Sequence, residues 1–145
     1  MLLHRLRFEQ FSSLQRSLLS SVAALFGYAL WAYLVNSMHG VAAASKAAMV
    51  QGSYSFVLTF VMTLLIETIY RLASMVWRAK LAVNFITIVT SCTIVFSTSW
   101  WINVLAHTPE ILNTVILGYL IGGFFTIVYV IGLSNQQVDQ FTSPQ

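Results

Sequence analysis

The chain has 145 residues, of which 58% are hydrophobic and only 8% are charged, and its mean hydropathy is +0.79. A water-soluble domain carries about a quarter charged residues, so the composition excludes an ordinary soluble globular protein. The formal net charge of +3 is that of a membrane protein with basic loops next to anionic headgroups, and it does not indicate a nucleic-acid partner.

Four apolar stretches each approach or exceed the ~20 residues that cross a ~30 Å hydrocarbon core. They cover residues 17–36, 47–70, 81–105 and 111–133. Continuous apolar runs lack the alternation of a transmembrane β-barrel, so the spans are predicted to be helices. The predicted fold class is therefore all-α: a polytopic integral membrane protein with one transmembrane domain over residues 17–133, folded as an antiparallel four-helix bundle.

Basic residues are concentrated on one side of these spans. They precede the first span or lie between the second and the third: Arg5, Arg7, Arg16, Arg71, Arg78 and Lys80. Lys46 is the single basic residue of the first loop. Basic residues near helix ends are retained in the cytoplasm, so both termini are predicted to be cytoplasmic, in a bacterial inner (plasma) membrane.

The segments outside the four spans are short. Residues 1–16 are predicted to be a cytoplasmic segment whose apolar face favours an interfacial helix, and residues 134–145 are predicted to be a polar tail. A cleaved signal peptide is the alternative for the first span, but the span is long and contains Trp31 and Tyr33. The alanine-rich residues 41–49 are compatible with a loop or with an extension of the second helix.

The turn before the fourth span resembles a helix start. Thr108, Pro109 and Glu110 supply a hydroxyl for an N-cap, a proline for the first turn and an acid near the positive end of the helix dipole. We therefore expect the Thr108 hydroxyl to cap the fourth helix.

The second span carries a polar ridge with a spacing of four residues. Its members are Gln51, Ser55, Thr59, Thr63 and Glu67. Side chains four apart lie on one side of a helix, where they meet a neighbouring helix or water instead of lipid. Two interpretations remain open: the ridge bonds helix to helix, or Ser55, Thr59, Thr63 and Glu67 line a pathway for a solute or an ion.

Glu67 is the one ionisable side chain inside a predicted span, and intramembrane acids are candidate functional residues. It also stands four residues before Arg71, the favourable spacing for an ion pair on a helix. A structural Glu67–Arg71 pair and a proton- or cation-handling role are both compatible with this position.

The third span is rich in polar side chains. Asn84, Thr87, Ser91 and Thr98 share one face, which predicts a polar seam toward the second helix, and the first three are further pathway candidates. Cys92 is a lone thiol and is expected only to pack.

Glycines mark candidate packing faces. Gly118 and Gly122 have the G-x-x-x-G spacing that lets helix backbones approach each other. Gly123 and Gly27 are two further candidates for helix packing. This approach is expected either within the monomer or between two copies.

No catalytic or cofactor motif is present. His39, His107 and Glu110 offer possible ligands at one membrane surface, but their spacing is no metal signature, so no metal site, no cofactor and no enzymatic activity are predicted. The first predicted function is an accessory, assembly or regulatory subunit of a membrane complex. The alternative is a small oligomeric transporter or channel for a proton, cation or amphipathic solute. The expected partners are the lipid bilayer and a second copy or a larger membrane protein.

Overall fold

The structure is a computed structural model that describes residues 13–142. It contains four long helices: α1 (Ser13–Asn36), α2 (Val41–Val76), α3 (Lys80–Leu105) and α4 (Ile111–Thr142). All four predicted spans are helices, and each is long and apolar enough to cross a bilayer, as expected of a multi-pass membrane protein. Residues 1–12 of the predicted interfacial segment, and the last three residues of the predicted tail, lie outside the described part.

The second helix is longer than its apolar run predicts. With 36 residues, α2 extends about 54 Å at ~1.5 Å per residue, well beyond the hydrocarbon thickness. Alanine is the strongest helix former, so the alanine-rich residues 41–49 are helical, and only residues 77–79 separate α2 from α3. Hydropathy marks the part of a helix that crosses the membrane, whereas propensity and turn residues decide where the helix ends.

The bundle has two different ends. At one of them, called here the two-loop end, residues 37–40 join α1 to α2 and residues 106–110 join α3 to α4. The other, the terminal end, contains the start of α1, the α2–α3 connection and the end of α4. Gly40 makes the first turn possible, because its φ of 92° and ψ of 158° belong to a region essentially restricted to glycine.

The turn after α3 is a Schellman motif. The N–H of Thr108 donates to the Asn103 carbonyl and that of His107 to the Val104 carbonyl. His107 occupies the left-handed position of this motif with a φ of 54°, where glycine is the usual residue.

Replacing His107 by glycine should therefore stabilise the protein by up to about 1 kcal/mol, because a side chain at positive φ costs about that much. The measurement is the free energy of unfolding in mixed micelles of SDS and a mild detergent. His107→Ala is the matched control, since it keeps the strained backbone and should give no gain. Equal stabilities for the glycine and alanine variants would contradict the role of backbone strain.

Small and polar side chains form the contact face of α3. The buried residues of this helix recur every four positions: Val83, Thr87, Ser91, Val95, Ser99 and Asn103. Buried residues of α4 include Thr126, Val130 and Ser134. Asn84 Nδ2 donates to Ser134 Oγ at 3.2 Å, so part of the predicted polar seam of α3 faces α4 rather than α2.

An apolar core lies toward the terminal end. Its buried members come from α2, α3 and α4: Met62, Ile66, Tyr70, Ala73, Val83, Val95 and Val130. Nearer the two-loop end, α1 and α2 approach through small residues, among them Ala32, Ala44 and Ala47. The apolar core and the α1–α2 contact leave a space between the helices at mid-bundle.

Candidate functional site

The polar ridge of α2 turns gradually out of the core. Gln51 and Ser55 are buried, whereas Thr59, Thr63 and Glu67 are half-buried. A step of four residues advances a helix by about 40° more than a full turn, so a row with this spacing rotates away from a fixed neighbour. The buried face of α2 passes instead to Met62 and the other apolar core residues.

The space between the helices is a cavity of about 440 Å³. All four helices contribute to its wall, which is mostly apolar. The ridge residues Gln51, Ser55 and Thr59 line it, whereas Thr63 and Glu67 do not. Its volume falls within the ~300–1,000 Å³ that is typical of small-molecule sites. Two of the predicted pathway residues, Ser55 and Thr59, therefore share a cavity.

The polarity of the cavity changes along the bundle axis. Toward the two-loop end its lining includes polar side chains from all four helices: Tyr28, Gln51, Tyr54, Ser55, Ser99 and Tyr119. Toward the terminal end it is lined mainly by apolar side chains, Leu58, Met62 and Phe125, with the Thr59 hydroxyl next to Leu58. Among the described residues, no charged side chain lines it. The chemistry of this wall suits an uncharged amphipathic molecule with its polar group toward the two-loop end.

A network of buried amides fixes the orientation of Gln51. Asn103 Nδ2 donates to the Ser99 carbonyl at 2.9 Å, and Asn103 Oδ1 accepts from the Thr108 hydroxyl at 2.9 Å. The same Nδ2 donates to Gln51 Oε1 at 2.8 Å. Because Asn103 presents its NH₂ group to Gln51, the amide oxygen of Gln51 is turned toward Asn103.

The Gln51 NH₂ group points the other way, into the cavity. Its nitrogen lies 3.7 Å from where a Cβ atom at Gly118 would stand, and no described residue accepts a hydrogen bond from it. The hydroxyls of Tyr28 and Ser55 likewise make no hydrogen bond within the described residues. The Gln51 NH₂ group and these two hydroxyls can donate hydrogen bonds to an oxygen atom of a ligand.

The two-loop end of the bundle is closed by a second polar cluster. Asn36 Nδ2 donates to Thr114 Oγ1 at 2.8 Å, and Asn36 Oδ1 accepts from the backbone N–H of Glu110 at 2.9 Å. The side chain at the end of α1 thus caps the start of α4. The Thr108 hydroxyl was expected to do this, but it is held by Asn103, because the Schellman turn places Thr108 over α3.

Glu67 makes a different contact from the predicted ion pair. The Tyr129 hydroxyl on α4 donates to Glu67 Oε1 at 2.6 Å. The one contact at ion-pair distance within the described part of the chain is that of His39 with Glu110, which is ionic only when the imidazole is protonated, so Glu67 and Arg71 do not pair there. Glu67 and Tyr129 instead line a separate groove of about 300 Å³ with Phe125, Val128, Gly132 and Leu133.

The other polar side chains singled out on α3 contact protein groups and do not line the cavity. The Thr87 hydroxyl donates to the Val83 carbonyl one turn back, and Ser91 is fully buried without a hydrogen-bond partner for its oxygen. Thr98 reaches α2, where it lies 2.7 Å from the Tyr54 hydroxyl. Asn84, Thr87 and Ser91 do not line the cavity.

The four predicted packing glycines have unequal surroundings. A Cβ at Gly118 would lie 3.6 Å from the Tyr28 ring, and one at Gly123 would lie 4.0 Å from Cys92 Sγ. Gly27 and Gly122 have open space and line the cavity. The tightest glycine is Gly52, which has no second glycine at a helical spacing in the sequence.

The polar residues at the two-loop surface form no metal site. His39 Nε2 lies 3.2 Å from Glu110 Oε1, and Asn113 Nδ2 donates to Glu110 Oε2 at 2.9 Å. Within residues 13–142 no group of three or more His, Cys, Asp or Glu side chains is arranged to hold an ion.

Several residues of the cavity, the groove and the buried amide network carry weak sequence signals. Tyr28 and Tyr129 are tyrosines within apolar runs, and Asn103 is an amide near a span end. A hydroxyl or an amide at such a depth needs a partner inside the protein, so these positions can be found by asking where each polar group is satisfied. The partner itself depends on the register between helices.

Comparison of the chain with protein-family models, with curated proteins and with solved structures gives no match.

Proposed function

We propose that this chain is a solute-binding membrane protein that takes an uncharged amphipathic molecule from the bilayer into its central cavity and passes it toward the two-loop end. The observation that carries this proposal is the 440 Å³ cavity, whose polar groups are concentrated toward one end and whose wall is otherwise mostly apolar. It takes up the amphipathic-solute part of the transport alternative predicted from the sequence, with Gln51, Ser55 and Thr59 of the α2 ridge in the cavity wall and without Glu67.

The entrance lies between α1 and α4. Ala23 and Gly27 on α1, and Ile121 and Phe125 on α4, line the cavity and are also exposed at the protein surface. This side of the cavity is open at Gly27 and Gly122, since a Cβ atom at either position would meet no neighbouring atom. A molecule dissolved in lipid can therefore enter sideways, and the Gln51 NH₂ group then offers a donor to its oxygen.

The expected result for Gly122→Phe is loss of solute binding without loss of folding, since the ring would fill open space in the cavity. The probe is a long-chain alcohol with a photoreactive diazirine, and the labelled residues are mapped by mass spectrometry in nanodiscs. Labelling of the cavity wall should fall by about tenfold, the equivalent of ~1.4 kcal/mol of binding free energy.

Gly132→Phe is the matched control, because Gly132 also has open space around it and does not line the cavity. It should leave labelling of the cavity unchanged. Labelling spread evenly over the lipid-facing residues, and insensitive to Gly122→Phe, would exclude a binding cavity.

The accessory function is the second candidate, and the same opening favours it. A transmembrane helix of a larger protein or of a second copy could pack where Gly27 and Gly122 leave room, since small residues let helix backbones approach. The mass of the protein extracted in native nanodiscs separates the two. A stoichiometric complex in which the alcohol labels no cavity residue would favour the accessory function.

We further propose that both termini are cytoplasmic in a bacterial inner membrane. Arg71, Arg78 and Lys80 belong to the terminal end of the bundle, and Lys46 lies near the two-loop end. This distribution supports a cytoplasmic terminal end, since basic residues near helix ends stay in the cytoplasm.

A further inference from the structure

We propose that the groove between α2 and α4 at Glu67 is a binding site for an alkylammonium ion, that is, a cationic head group on a single apolar chain. The site is separate from the central cavity. It rests on the geometry of Glu67, Tyr129 and Phe125, and it does not depend on the solute proposed for the cavity.

The groove has a negative pole and an aromatic wall. The Glu67 carboxylate lines it, with one oxygen held by the Tyr129 hydroxyl at 2.6 Å. The rings of Phe125 and Tyr129 are stacked beside it, with centroids 5.6 Å apart and an interplanar angle of 22°. A carboxylate together with ring faces attracts an organic cation, which gains both ionic and cation–π contacts at little cost in desolvation.

The charge of Glu67 is not compensated within the described residues. No basic side chain there lies within ion-pair distance of it, although Arg71 follows one turn later on α2. Lys80 donates instead to Asn135 Oδ1 at 3.5 Å. Because an unpaired carboxylate next to hydrocarbon is unfavourable, a ligand that supplies the positive charge should be preferred over a neutral one.

The remainder of the groove suits an alkyl chain. Val128, Gly132 and Leu133 extend it along α4, and Gly132 leaves open space where a side chain would stand. Its volume of about 300 Å³ holds a head group with the first part of a chain. The rest of the chain can continue past Val128 into the lipid, since the exposed side chains on that side of Glu67 include Leu64, Phe124 and Val128, all of them apolar.

The Phe125 ring also lines the central cavity, so one side chain forms a wall of both spaces. The two proposed sites are thus neighbours that prefer different ligands, an uncharged molecule in the cavity and a cation in the groove. Within the part of the chain that the structure describes, the lining of the cavity has no charged residue, whereas the groove has one carboxylate.

The test is titration of the protein in nanodiscs of zwitterionic lipid with dodecyltrimethylammonium, measured by calorimetry against empty nanodiscs. Saturable binding is expected for the wild-type protein, and Glu67→Gln should weaken it by at least about tenfold because the substitution removes only the charge. Dodecanol and dodecyl sulfate should not compete for the groove. Wild-type affinity in Glu67→Gln, or no saturable binding to the wild type, would overturn the proposal.

Two further variants keep the test independent of folding. Glu110→Gln removes the acid at the two-loop end and should bind the probe as the wild type does. Tyr129→Phe keeps the carboxylate and the stacked ring, so it should bind at least as tightly. A loss of binding in Tyr129→Phe equal to that in Glu67→Gln would overturn the proposal, because binding would then depend on the Glu67–Tyr129 hydrogen bond and not on the charge of Glu67. Cavity labelling by the alcohol should persist in Glu67→Gln, which separates a failure here from a failure of the proposed function.

Discussion

Replacing Gly52 by leucine should lower the free energy of unfolding by about 3 kcal/mol, the upper part of the range for overpacked sites. A Cβ at this position would lie 2.9 Å from Ala29 Cβ and 3.0 Å from the Leu25 carbonyl oxygen. Both atoms are held by the backbone of α1, so α1 and α2 must separate to admit any side chain. The measurement is unfolding in mixed micelles of SDS and a mild detergent.

Gly132→Leu is the control for this substitution. A Cβ at Gly132 meets nothing within 4 Å, so leucine there gains helix propensity, worth up to about 1 kcal/mol relative to glycine, and loses no packing. The two variants should therefore move in opposite directions. A Gly52→Leu protein as stable as the wild type would show that the α1–α2 contact is loose.

The location of Gly52 illustrates what the sequence could and could not predict. The four spans followed from hydropathy, because continuous apolar length is a property of each segment alone. The close contact depends on which faces of α1 and α2 meet. The conspicuous spacing of Gly118 and Gly122 drew attention to α4, whereas the single Gly52 among alanines and serines forms the tighter approach.

Glu67 makes a similar point about the candidate sites. Its position in a span was sufficient to single it out, and the spacing to Arg71 was sufficient to suggest a partner. The structure gives it Tyr129, which is 62 residues away. Local spacing predicts neighbours on one helix, but a partner on another helix depends on the register of α2 against α4.

Replacing Asn103 by leucine should destabilise the bundle by about 1–3 kcal/mol, as expected when partners of a buried polar group are left unsatisfied. The Asn103 amide serves Gln51, Thr108 and the Ser99 carbonyl, so its loss releases the α2 contact together with the α3–α4 turn. Bonds between membrane helices average only ~0.6 kcal/mol, because the unfolded chain also finds partners in the membrane. The loss of stability expected for Asn103→Leu is larger than this average because Gln51 and the Thr108 hydroxyl both lose their hydrogen-bond partner.

Asn84→Leu is the matched control on the same helix. Asn84 donates to Ser134 at 3.2 Å, but its own buried oxygen has no partner within the described residues. Leucine there removes one hydrogen bond and one unsatisfied oxygen together, so the free energy of unfolding should change by less than about 0.5 kcal/mol. The Asn103→Leu protein should in addition label more weakly with the photoreactive alcohol, because Gln51 loses the contact that aims its NH₂ group into the cavity. Equal losses of stability in the two variants, with alcohol labelling unchanged, would mean that the buried amide network neither ties the helices together nor orients the cavity.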